Sequence, residues 1–304
     1  MTPYPFQFDG IPSPGYNGEN TKANRHPICR GRTPSSLASR LRTILYEAHA
    51  DPTKIVATCC SDDGLGSHLV EEAGFPCVFL GGFMVASSFG LPDTGYIAFQ
   101  EMAIRIQEVR RQVSIPIIAD GDTGYGSPVN VKRVVQGFAL AGAAVVSREE
   151  AFARVQAAVD ARNEGVDIVV IGRTDSLILG WDEAIYRAKK FIEIGVDLIF
   201  IEAIPDRETM KKTVDTLNFP TLANIIEGGL TQQLSAQELG QIGFSIVAYP
   251  FTMVAAKVKA VREALDILKA SFTSGAPPRI MSFEEVCEAV GFDKYWELEE
   301  KYKY

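Results

Sequence analysis

The sequence predicts an α/β fold of the (β/α)8 barrel type. Two observations support this prediction. Short apolar runs rich in β-branched residues alternate with segments of helical periodicity, and the chain has 304 residues, of which 46% are hydrophobic. Strands and helices that alternate in this way form parallel sheets covered by helices. A chain of this length can fold as a single barrel of this kind.

The N-terminal 35 residues are rich in Pro, Gly, Asn and other polar residues. Such a composition buries too little apolar surface to order a chain. We therefore expect a flexible arm over residues 1–35 and one barrel domain over residues 36–304, which includes the C-terminal helices. The stretch 21–42 has basic residues and no acid, so a mitochondrial presequence is an alternative interpretation. Because Asp9 and Glu19 lie upstream, a cytoplasmic protein is the main expectation.

Seven apolar runs are the predicted strands of the sheet. They lie at 55–59, 77–81, 115–119, 168–172, 198–202, 221–225 and 245–249. Segments with helical periodicity follow several of them. These predicted helices lie at 130–141, 148–162, 182–194, 206–217 and 252–271.

The fourth strand of an eight-stranded barrel has no counterpart in the sequence. Helix 130–141 runs through the short stretch 142–146 (GAAVV) directly into helix 148–162. The strand is therefore absent or reduced to a few residues. Seven parallel strands close into a barrel poorly, because strand number, tilt and shear are linked. We expect a chain that lacks a piece of its fold, or a distorted barrel.

Composition and charge exclude several classes of function. The net charge is −8 and the pI is about 5.1, whereas nucleic-acid-binding proteins carry clustered basic residues. The apolar runs are too short to span a bilayer, and no secretory signal is evident. Five cysteines show neither CxxC nor metal-ligand spacing, which indicates a reduced, intracellular chain. They are Cys29, Cys59, Cys60, Cys77 and Cys287.

The ends of the predicted strands carry several acids and one arginine. In barrels of this type, the active site is built from residues at the carboxyl ends of the strands. The residues at these ends are Asp62, Asp63, Gly81, Gly82, Asp120, Asp122, Arg173, Asp175, Glu202, Asn224 and Glu227. Acids and an arginine at one rim suit a hard divalent cation and a ligand that carries a carboxylate.

Asp120 and Asp122 follow the strand at 115–119 in the stretch ADGDTGYG. Side chains two apart in a strand point the same way, so both carboxylates can face one point above the barrel. Two carboxylates at so short a distance repel each other unless a cation lies between them. Mg²⁺ binds one or two carboxylates together with waters. The alternative is an ordinary turn, because Asp and Gly are common turn residues.

Arg173 follows the strand at 168–172 and can bind a carboxylate through two hydrogen bonds. The alternative is a structural ion pair with Asp175 or Glu202. Glu202 ends an apolar strand, so we expect it to have a partner there.

Five stretches together resemble the isocitrate lyase / phosphoenolpyruvate mutase superfamily. They read ADGDTGYGSPVNV, IGRTDS, WDEAIYRAKKFIEIGVDLIFIEA, LANIIEGGLT and LGQIGFSIVAYP, in this order along the chain. The branches that the sequence resembles most are the methylisocitrate lyases, dimethylmalate lyases and oxaloacetate acetylhydrolases. The resemblance extends from about Leu37 to the C-terminal MSFEEVCEAVGF.

The resemblance implies a (β/α)8 barrel whose last helix is exchanged between subunits of a homodimer or homotetramer. It implies Mg²⁺ or Mn²⁺ at the strand ends, with Asp120, Asp122 and Asp63 linked to the metal. It also implies that a small dicarboxylate is cleaved or formed through a metal-stabilised enolate. The residues expected to bind this substrate are Gly81, Gly82, Arg173, Glu202, Asn224, Glu227 and Thr231.

The sequence departs from the family pattern where the fourth strand is missing. In the family, this strand ends in a Glu that reaches the metal site, and a lid with the catalytic Cys follows it. Here AGAA continues into VVSREE, so the strand and the lid are expected to be absent and no catalytic residue can be identified. Leu80 and Phe83 replace a hydroxyl residue and a small residue, and Pro250 stands where oxaloacetate hydrolases carry Ser.

These observations predict a Mg²⁺-dependent carbon–carbon lyase that acts on a small 2-hydroxy or 2-oxo dicarboxylate. One alternative is a catalytically impaired or inactive relative, because the lid segment is missing. Oxaloacetate hydrolysis and phosphonomutase chemistry are further alternatives. A gene model or chain record that lacks one internal block would produce the same sequence. No nucleic acid or membrane is expected as a partner.

Overall fold

A computed structural model describes residues 30–137, 148–229, 231–273, 275–276 and 279–303. Within these residues, seven strands form one sheet. The strands are β1 (Val56–Ser61), β2 (Val78–Leu80), β3 (Ile117–Ala119), β4 (Ile171–Thr174), β5 (Leu198–Ile201), β6 (Thr221–Asn224) and β7 (Ile246–Tyr249). Each prediction of a strand from the sequence is therefore confirmed, with shifts at the ends.

Twelve α-helices are present in the described part of the chain. They are α1 (Ser36–Ala50), α2 (Gly64–Glu72), α3 (Gly82–Ser88), α4 (Phe99–Gln112), α5 (Pro128–Gly137), α6 (Arg148–Glu164), α7 (Trp181–Ile194), α8 (Arg207–Leu217), α9 (Ala236–Ile242), α10 (Thr252–Ala270), α11 (Phe283–Ala289) and α12 (Phe292–Lys301). Short 3-10 helices span Pro52–Lys54, Ser176–Leu179 and Ser271–Thr273. None of the described helices is long and apolar enough to cross a membrane.

The sheet is parallel and has the strand order β3-β2-β1-β7-β6-β5-β4. Because β7 pairs with β1, the last strand closes onto the first, as it does in a (β/α) barrel. In the described residues, β3 and β4 form the two edges of this curled sheet. The α/β fold and the barrel-type order are confirmed. The segment 138–147, where the sequence predicts that the fourth strand is absent or shortened, lies outside the described residues.

Strand β4 begins three residues later than the sequence predicts, at Ile171 instead of Ile168. The backbone N–H of Asp167 donates to the carbonyl of Thr33, which belongs to the segment before α1. The carbonyl of Ile168 accepts a hydrogen bond from the guanidinium of Arg42. These backbone groups are thus bonded outside the sheet, which explains the later start.

Alternate residues of β5 pack into two different apolar clusters, as expected for a strand that is covered on both faces. Ile199 and Ile201 pack with residues of α6 to α9 in one cluster. Leu198 and Phe200 belong to a second cluster with residues of β3, β6 and β7. Both faces of the sheet are therefore packed: one face against the helices, and the concave face against side chains of other strands.

Buried ion pairs attach α1 to the amino ends of β4 and β5. Arg42 is fully buried, and its Nη2 and Nε atoms lie 2.7 Å from Asp167 Oδ1 and 3.0 Å from Asp197 Oδ1. Arg162 and Arg30 also pair with Asp197, at 2.9 and 3.1 Å. Removal of one partner from such a group leaves a buried charge uncompensated. The complete group therefore stabilises the packing of α1 against the amino ends of β4 and β5.

Candidate active site

A cleft of about 590 Å³ lies at the carboxyl ends of β2, β3 and β4. The loop between α3 and α4, the loop that follows β3 and the end of β4 form its walls. The charged side chains in its lining are Asp93, Asp120, Asp122, Arg173 and Asp175. A cavity therefore lies at the edge of the sheet where the sequence places the site, and four of its five charged lining residues are acids.

Asp120 joins the loops after β2 and β3. Its Oδ2 accepts a hydrogen bond of 3.1 Å from the Gly82 N–H, and its Oδ1 accepts one of 2.9 Å from the Asp122 N–H. The Gly82 N–H, which the sequence assigns to substrate, therefore donates to Asp120 in this structure. Gly81 lies just before α3, and a side chain there would contact Cys60 and Met84.

Asp122 lies in a turn, not in an extension of the strand. Its φ of 47° is left-handed, and Gly124 N–H donates to the Gly121 carbonyl across the turn. The argument that residues two apart point the same way therefore does not apply to this pair, and the turn foreseen as an alternative is present. Asp122 and Asp120 nevertheless line the same cleft.

Asp93 is a site residue that the strand-end argument missed. It lies in the loop between α3 and α4, in the stretch GLPDTG, far from any strand end. A Cβ atom on Gly82 would lie 3.1 Å from Asp120 Oδ2 and 3.4 Å from Asp93 Oδ1, so both carboxylates approach the same glycine. The only sequence signal is an acid between Gly and Pro residues, which a turn explains equally well.

The pKa values of Asp93 and Asp122 are both raised in the cleft. Burial raises the pKa of Asp93, and the charges of Asp120 and Asp122 raise it further. Burial also raises the pKa of Asp122, and the charge of Asp120 adds to this effect. The pKa of the Tyr125 hydroxyl, which also lines the cleft, is raised by burial and by the same carboxylates. A cation in the cleft would relieve this repulsion.

Arg173 lies between two acids and above an aromatic ring. Its Nε and Nη2 atoms lie 2.9 and 3.2 Å from Asp175 Oδ1 and Oδ2, and Nη2 lies 3.1 Å from Glu202 Oε2. The guanidinium carbon is 4.8 Å from the centre of the Phe200 ring. Burial alone would lower the pKa of Arg173, but the hydrogen bonds and charge of Asp175 outweigh it and raise the pKa. Both ion pairs considered from the sequence are therefore formed.

Glu202 and Asn224 contact each other and do not line the cleft. Asn224 Nδ2 lies 3.4 Å from Glu202 Oε1, a long hydrogen bond. Burial raises the pKa of Glu202, while the charge of Arg173 opposes this rise. Asn224 and Thr231 line a separate cavity of about 10 Å³.

Glu227 and Asp63 are bound to other parts of the chain. The Glu227 carboxylate accepts hydrogen bonds from Phe251 N–H, at 3.0 Å, and from the Thr252 hydroxyl. Asp63 caps α2 through the Gly66 N–H, at 2.7 Å, and lies 3.2 Å from Lys257 Nζ of α10. Neither lines the cleft that contains Asp120.

The donors in the cleft fit a hydrated divalent cation better than a closed protein cage. Among the described residues, no group of three or more His, Cys, Asp or Glu side chains converges to hold a metal ion directly. Mg²⁺ binds one or two carboxylates and keeps several waters. Asp120 and Asp122, with Asp93 nearby, supply this type of donor set in a cleft with room for water.

No described cysteine takes part in the cleft. Cys59, Cys60, Cys77 and Cys287 are buried, and none of them lines it. Burial raises the pKa of the Cys60 thiol well above its ordinary value, so this thiol is a poor proton donor or nucleophile. Cys29 lies outside the described residues.

Comparison with known proteins identifies relatives along most of the chain. The family model for phosphoenolpyruvate phosphomutase matches residues 51–269. The 2,3-dimethylmalate lyase of Eubacterium barkeri is 32% identical over 288 residues, which cover 87% of this chain and 98% of that protein. The 2-methylisocitrate lyase of Escherichia coli K12 is 31% identical over 271 residues, with 81% and 90% coverage. Since 87% of 304 residues is fewer than 288, the first alignment contains positions for which this chain has no residue.

Solved structures agree with these relatives. A crystal structure of 2,3-dimethylmalate lyase superimposes with a TM-score of 0.79 at 30% identity and covers 88% of this chain and 99% of that one. A crystal structure of oxaloacetate acetylhydrolase gives a TM-score of 0.79 at 28% identity, with the same coverage. Phosphonopyruvate hydrolase in complex with oxalate and Mg²⁺ gives 0.77 at 25% identity, again with 88% and 99% coverage.

Proposed function

The chain belongs to the phosphoenolpyruvate phosphomutase family, within the phosphoenolpyruvate mutase / isocitrate lyase superfamily, and we propose that it binds a divalent cation and a small 2-oxo or 2-hydroxy dicarboxylate as a carbon–carbon lyase. The observation that carries this proposal is the cleft in which Asp93, Asp120 and Asp122 share one cavity with Arg173. An anion would be repelled by these acids alone. A cation on the carboxylates and a guanidinium beside them together make the cleft suitable for a chelating carboxylate ligand.

The residues of the cleft have distinct roles in this proposal. Asp120 and Asp122 would hold a hydrated divalent cation, Mg²⁺ or Mn²⁺, and Asp93 would add negative charge beside it. Such a cation would supply Lewis-acid stabilisation of negative charge on the substrate. Arg173 binds a carboxylate of the substrate. Gly82 has no side chain, so that Asp93 and Asp120 can approach each other.

The other residues predicted from the sequence do not line the cleft, and several of them contact residues of the site or nearby helices. Glu202 contacts Arg173 and is itself contacted by Asn224. Glu227 orders the start of α10 through Phe251 and Thr252. Thr231, predicted to bind substrate, and Asp63, predicted to bind the metal, do not line the cleft. We therefore propose direct ligand contact for Arg173 and an indirect contribution for Glu202 and Asn224.

A second candidate function is a relative that binds metal and ligand but turns over slowly. The described cysteines are buried and none of them lines the cleft, so no described thiol is placed there as a general acid. Within the described residues, the sheet has its two edges at β3 and β4, the strands that flank the segment where the sequence predicts the loss of the fourth strand and the lid. The loss of a general acid costs about 10²–10⁴ in rate. This candidate predicts binding without rapid turnover.

A homodimer or homotetramer with exchanged C-terminal helices is also proposed. No residue of α10 or α12 is buried in the described chain. The side chains Val258, Val261, Leu265, Leu268 and Phe272 are exposed at helical spacing along α10 and just beyond its end. An apolar stripe of this kind requires a partner, and a second copy of this chain is the partner that the family resemblance implies.

Turnover measurements separate the two candidates. Oxaloacetate, 2,3-dimethylmalate, 2-methylisocitrate and phosphonopyruvate would each be incubated with the 304-residue protein and Mg²⁺, and their products followed by NMR. Metal-dependent cleavage of one dicarboxylate, lost in Asp120→Asn, supports the lyase. Ligand binding without cleavage supports the impaired relative. Turnover that persists after metal removal, or in Asp120→Asn, contradicts the proposed site.

A further inference from the structure

We infer that Asp175 is a positioning residue for Arg173. Asp175 fixes one edge of the guanidinium, so that Nη1 is left to donate to the carboxylate of the ligand. This inference rests on the proposed function, in which Arg173 binds that carboxylate. From the sequence, Asp175 is one of the strand-end acids and a candidate ion-pair partner of Arg173. The structure shows that it lines the same cleft as Arg173 and Asp120.

Contacts on several sides fix the plane of the guanidinium. Asp175 accepts from both Nε and Nη2, at 2.9 and 3.2 Å, and so occupies the side edge of the group. Glu202 lies 3.1 Å from Nη2, and the Phe200 ring lies 4.8 Å from the guanidinium carbon. A two-point carboxylate contact sets the orientation of the planar group, which a single contact does not.

Nη1 is the donor that remains for a ligand. Within the described part of the chain, Arg173 Nη1 makes no hydrogen bond to another residue, although Arg173 lines the cleft. Because Asp175 and Glu202 hold the other two nitrogens, the side chain is already ordered before a ligand arrives. Less side-chain freedom is then lost on binding, which improves affinity.

Neutralisation of Asp175 would change the affinity for an anionic ligand in opposite directions, depending on whether its charge or its positioning of Arg173 dominates. Asp175 adds a negative charge to a cleft that already contains Asp93, Asp120 and Asp122, so on charge alone its neutralisation would tighten the binding of an anion. As a positioning residue, its neutralisation would weaken binding, because the amide of Asn presents N–H groups to the guanidinium and accepts only one of the two hydrogen bonds. The sign of the change therefore distinguishes the two effects.

The test measures the dissociation constant of oxalate for the full-length protein with Mg²⁺ by calorimetry. Asp175→Asn is compared with Asp175→Glu, which keeps the carboxylate, and with Asp182→Asn, which removes one exposed negative charge from the first turn of α7. The expected result is binding about tenfold weaker in Asp175→Asn, partial recovery in Asp175→Glu, and no change in Asp182→Asn. Thermal unfolding of all four proteins shows whether the fold is intact.

NMR of the Arg173 side chain provides a second measurement, which reports on the guanidinium itself. The Nε–H resonance of Arg173, assigned by its loss in Arg173→Lys, is expected to shift in Asp175→Asn and to stay in place in Asp182→Asn. Oxalate binding that is unchanged or tighter in a folded Asp175→Asn protein would overturn the inference and leave the proposed function standing. A failure of the unsubstituted protein to bind oxalate with Mg²⁺ would overturn both.

Discussion

The backbone N–H of Gly82 donates a 3.1 Å hydrogen bond to Oδ2 of Asp120, which joins the start of α3 to the end of β3. The same glycine leaves room for two carboxylates, because a Cβ atom there would lie 3.1 Å from Asp120 Oδ2 and 3.4 Å from Asp93 Oδ1. The cleft thus depends on a residue without a side chain at the junction of two loops.

Replacement of Gly82 by Ala is expected to weaken Mg²⁺-dependent oxalate binding by about tenfold. The new methyl group displaces the Asp120 carboxylate, and the backbone of Gly82 has no positive φ that would strain the variant by itself. Calorimetry of the purified protein measures the effect. Ser88→Ala on the exposed side of α3 is the matched control and should bind as the unsubstituted protein does. Equal affinity in Gly82→Ala would show that Asp120 does not need its present position.

Replacement of Arg42 by Met is expected to lower the free energy of unfolding by about 3–5 kcal/mol. The substitution leaves Asp167 without the guanidinium that contacts it at 2.7 Å in a fully buried site, and Asp197 loses one of its three arginines. Urea unfolding followed by circular dichroism measures the loss. Arg40→Met, at an exposed position of the same helix, should change stability by no more than about 0.5 kcal/mol. A similar effect of both substitutions would contradict the assigned role of the buried pairs.

Glu183 is expected to stabilise the fold in a pH-dependent way. Hydrogen bonds from Arg148 and Arg187 lower the pKa of its carboxyl from 4.5 to about 2. Because the pKa is lower in the folded chain, the stabilisation is complete above the unfolded value of 4.5. It is lost as the pH falls through the interval down to about 2. The difference in urea midpoint between the unsubstituted protein and Glu183→Gln should therefore be clear at about pH 7 and smaller at about pH 3.

The control for this effect is Glu193→Gln, which removes an exposed acid from the same helix. Its midpoint difference should be small at both pH values, because exposed ion pairs contribute about 0–1 kcal/mol. A difference for Glu183→Gln that does not shrink on acidification would show that the arginines do not depress the pKa of this carboxyl.

A charge in the exposed stripe of α10 is expected to reduce the oligomer to smaller species. Val261 lies in the middle of that stripe, half exposed in the single chain. Val261→Glu would place a carboxylate in an interface that the proposed exchange of helices buries, at a cost of several kcal/mol per interface. Light scattering coupled to size exclusion gives the mass. Val129→Glu, at an exposed site on α5, is the control and should leave the mass unchanged. A monomer in the unsubstituted protein would contradict the proposed assembly.

The fold follows from periodicity that is visible in the sequence. The predicted helix 148–162 corresponds to α6 at Arg148–Glu164, and the predicted helix 252–271 corresponds to α10 at Thr252–Ala270. The start of β4 could not be predicted, because Asp167 and Ile168 bond to Thr33 and Arg42, which are more than 100 residues away in the sequence. Such contacts leave no local pattern.

The site is only partly predictable, because the strand-end rule treats every acid alike. It places Asp120, Asp122 and Arg173 at the strand ends, and all three line one cleft in the structure. It also includes Asp63, whose carboxylate caps α2 and pairs with Lys257 from a helix near the end of the chain. It omits Asp93, because a loop residue is placed in the cleft by the path of the whole loop and not by a strand end. The roles of the predicted ligands themselves stay predictions until binding is measured.

The most direct test of the proposed site is the binding of oxalate to the full-length protein, measured by calorimetry with Mg²⁺ and again after metal removal with EDTA. The same titrations are made with Asp120→Asn, and with Asp160→Asn in α6, which does not line the cleft, as the charge-matched control. Binding is expected to require Mg²⁺, to survive in Asp160→Asn and to be lost in Asp120→Asn. Binding that persists without metal, or with full affinity in Asp120→Asn, would contradict the proposed site.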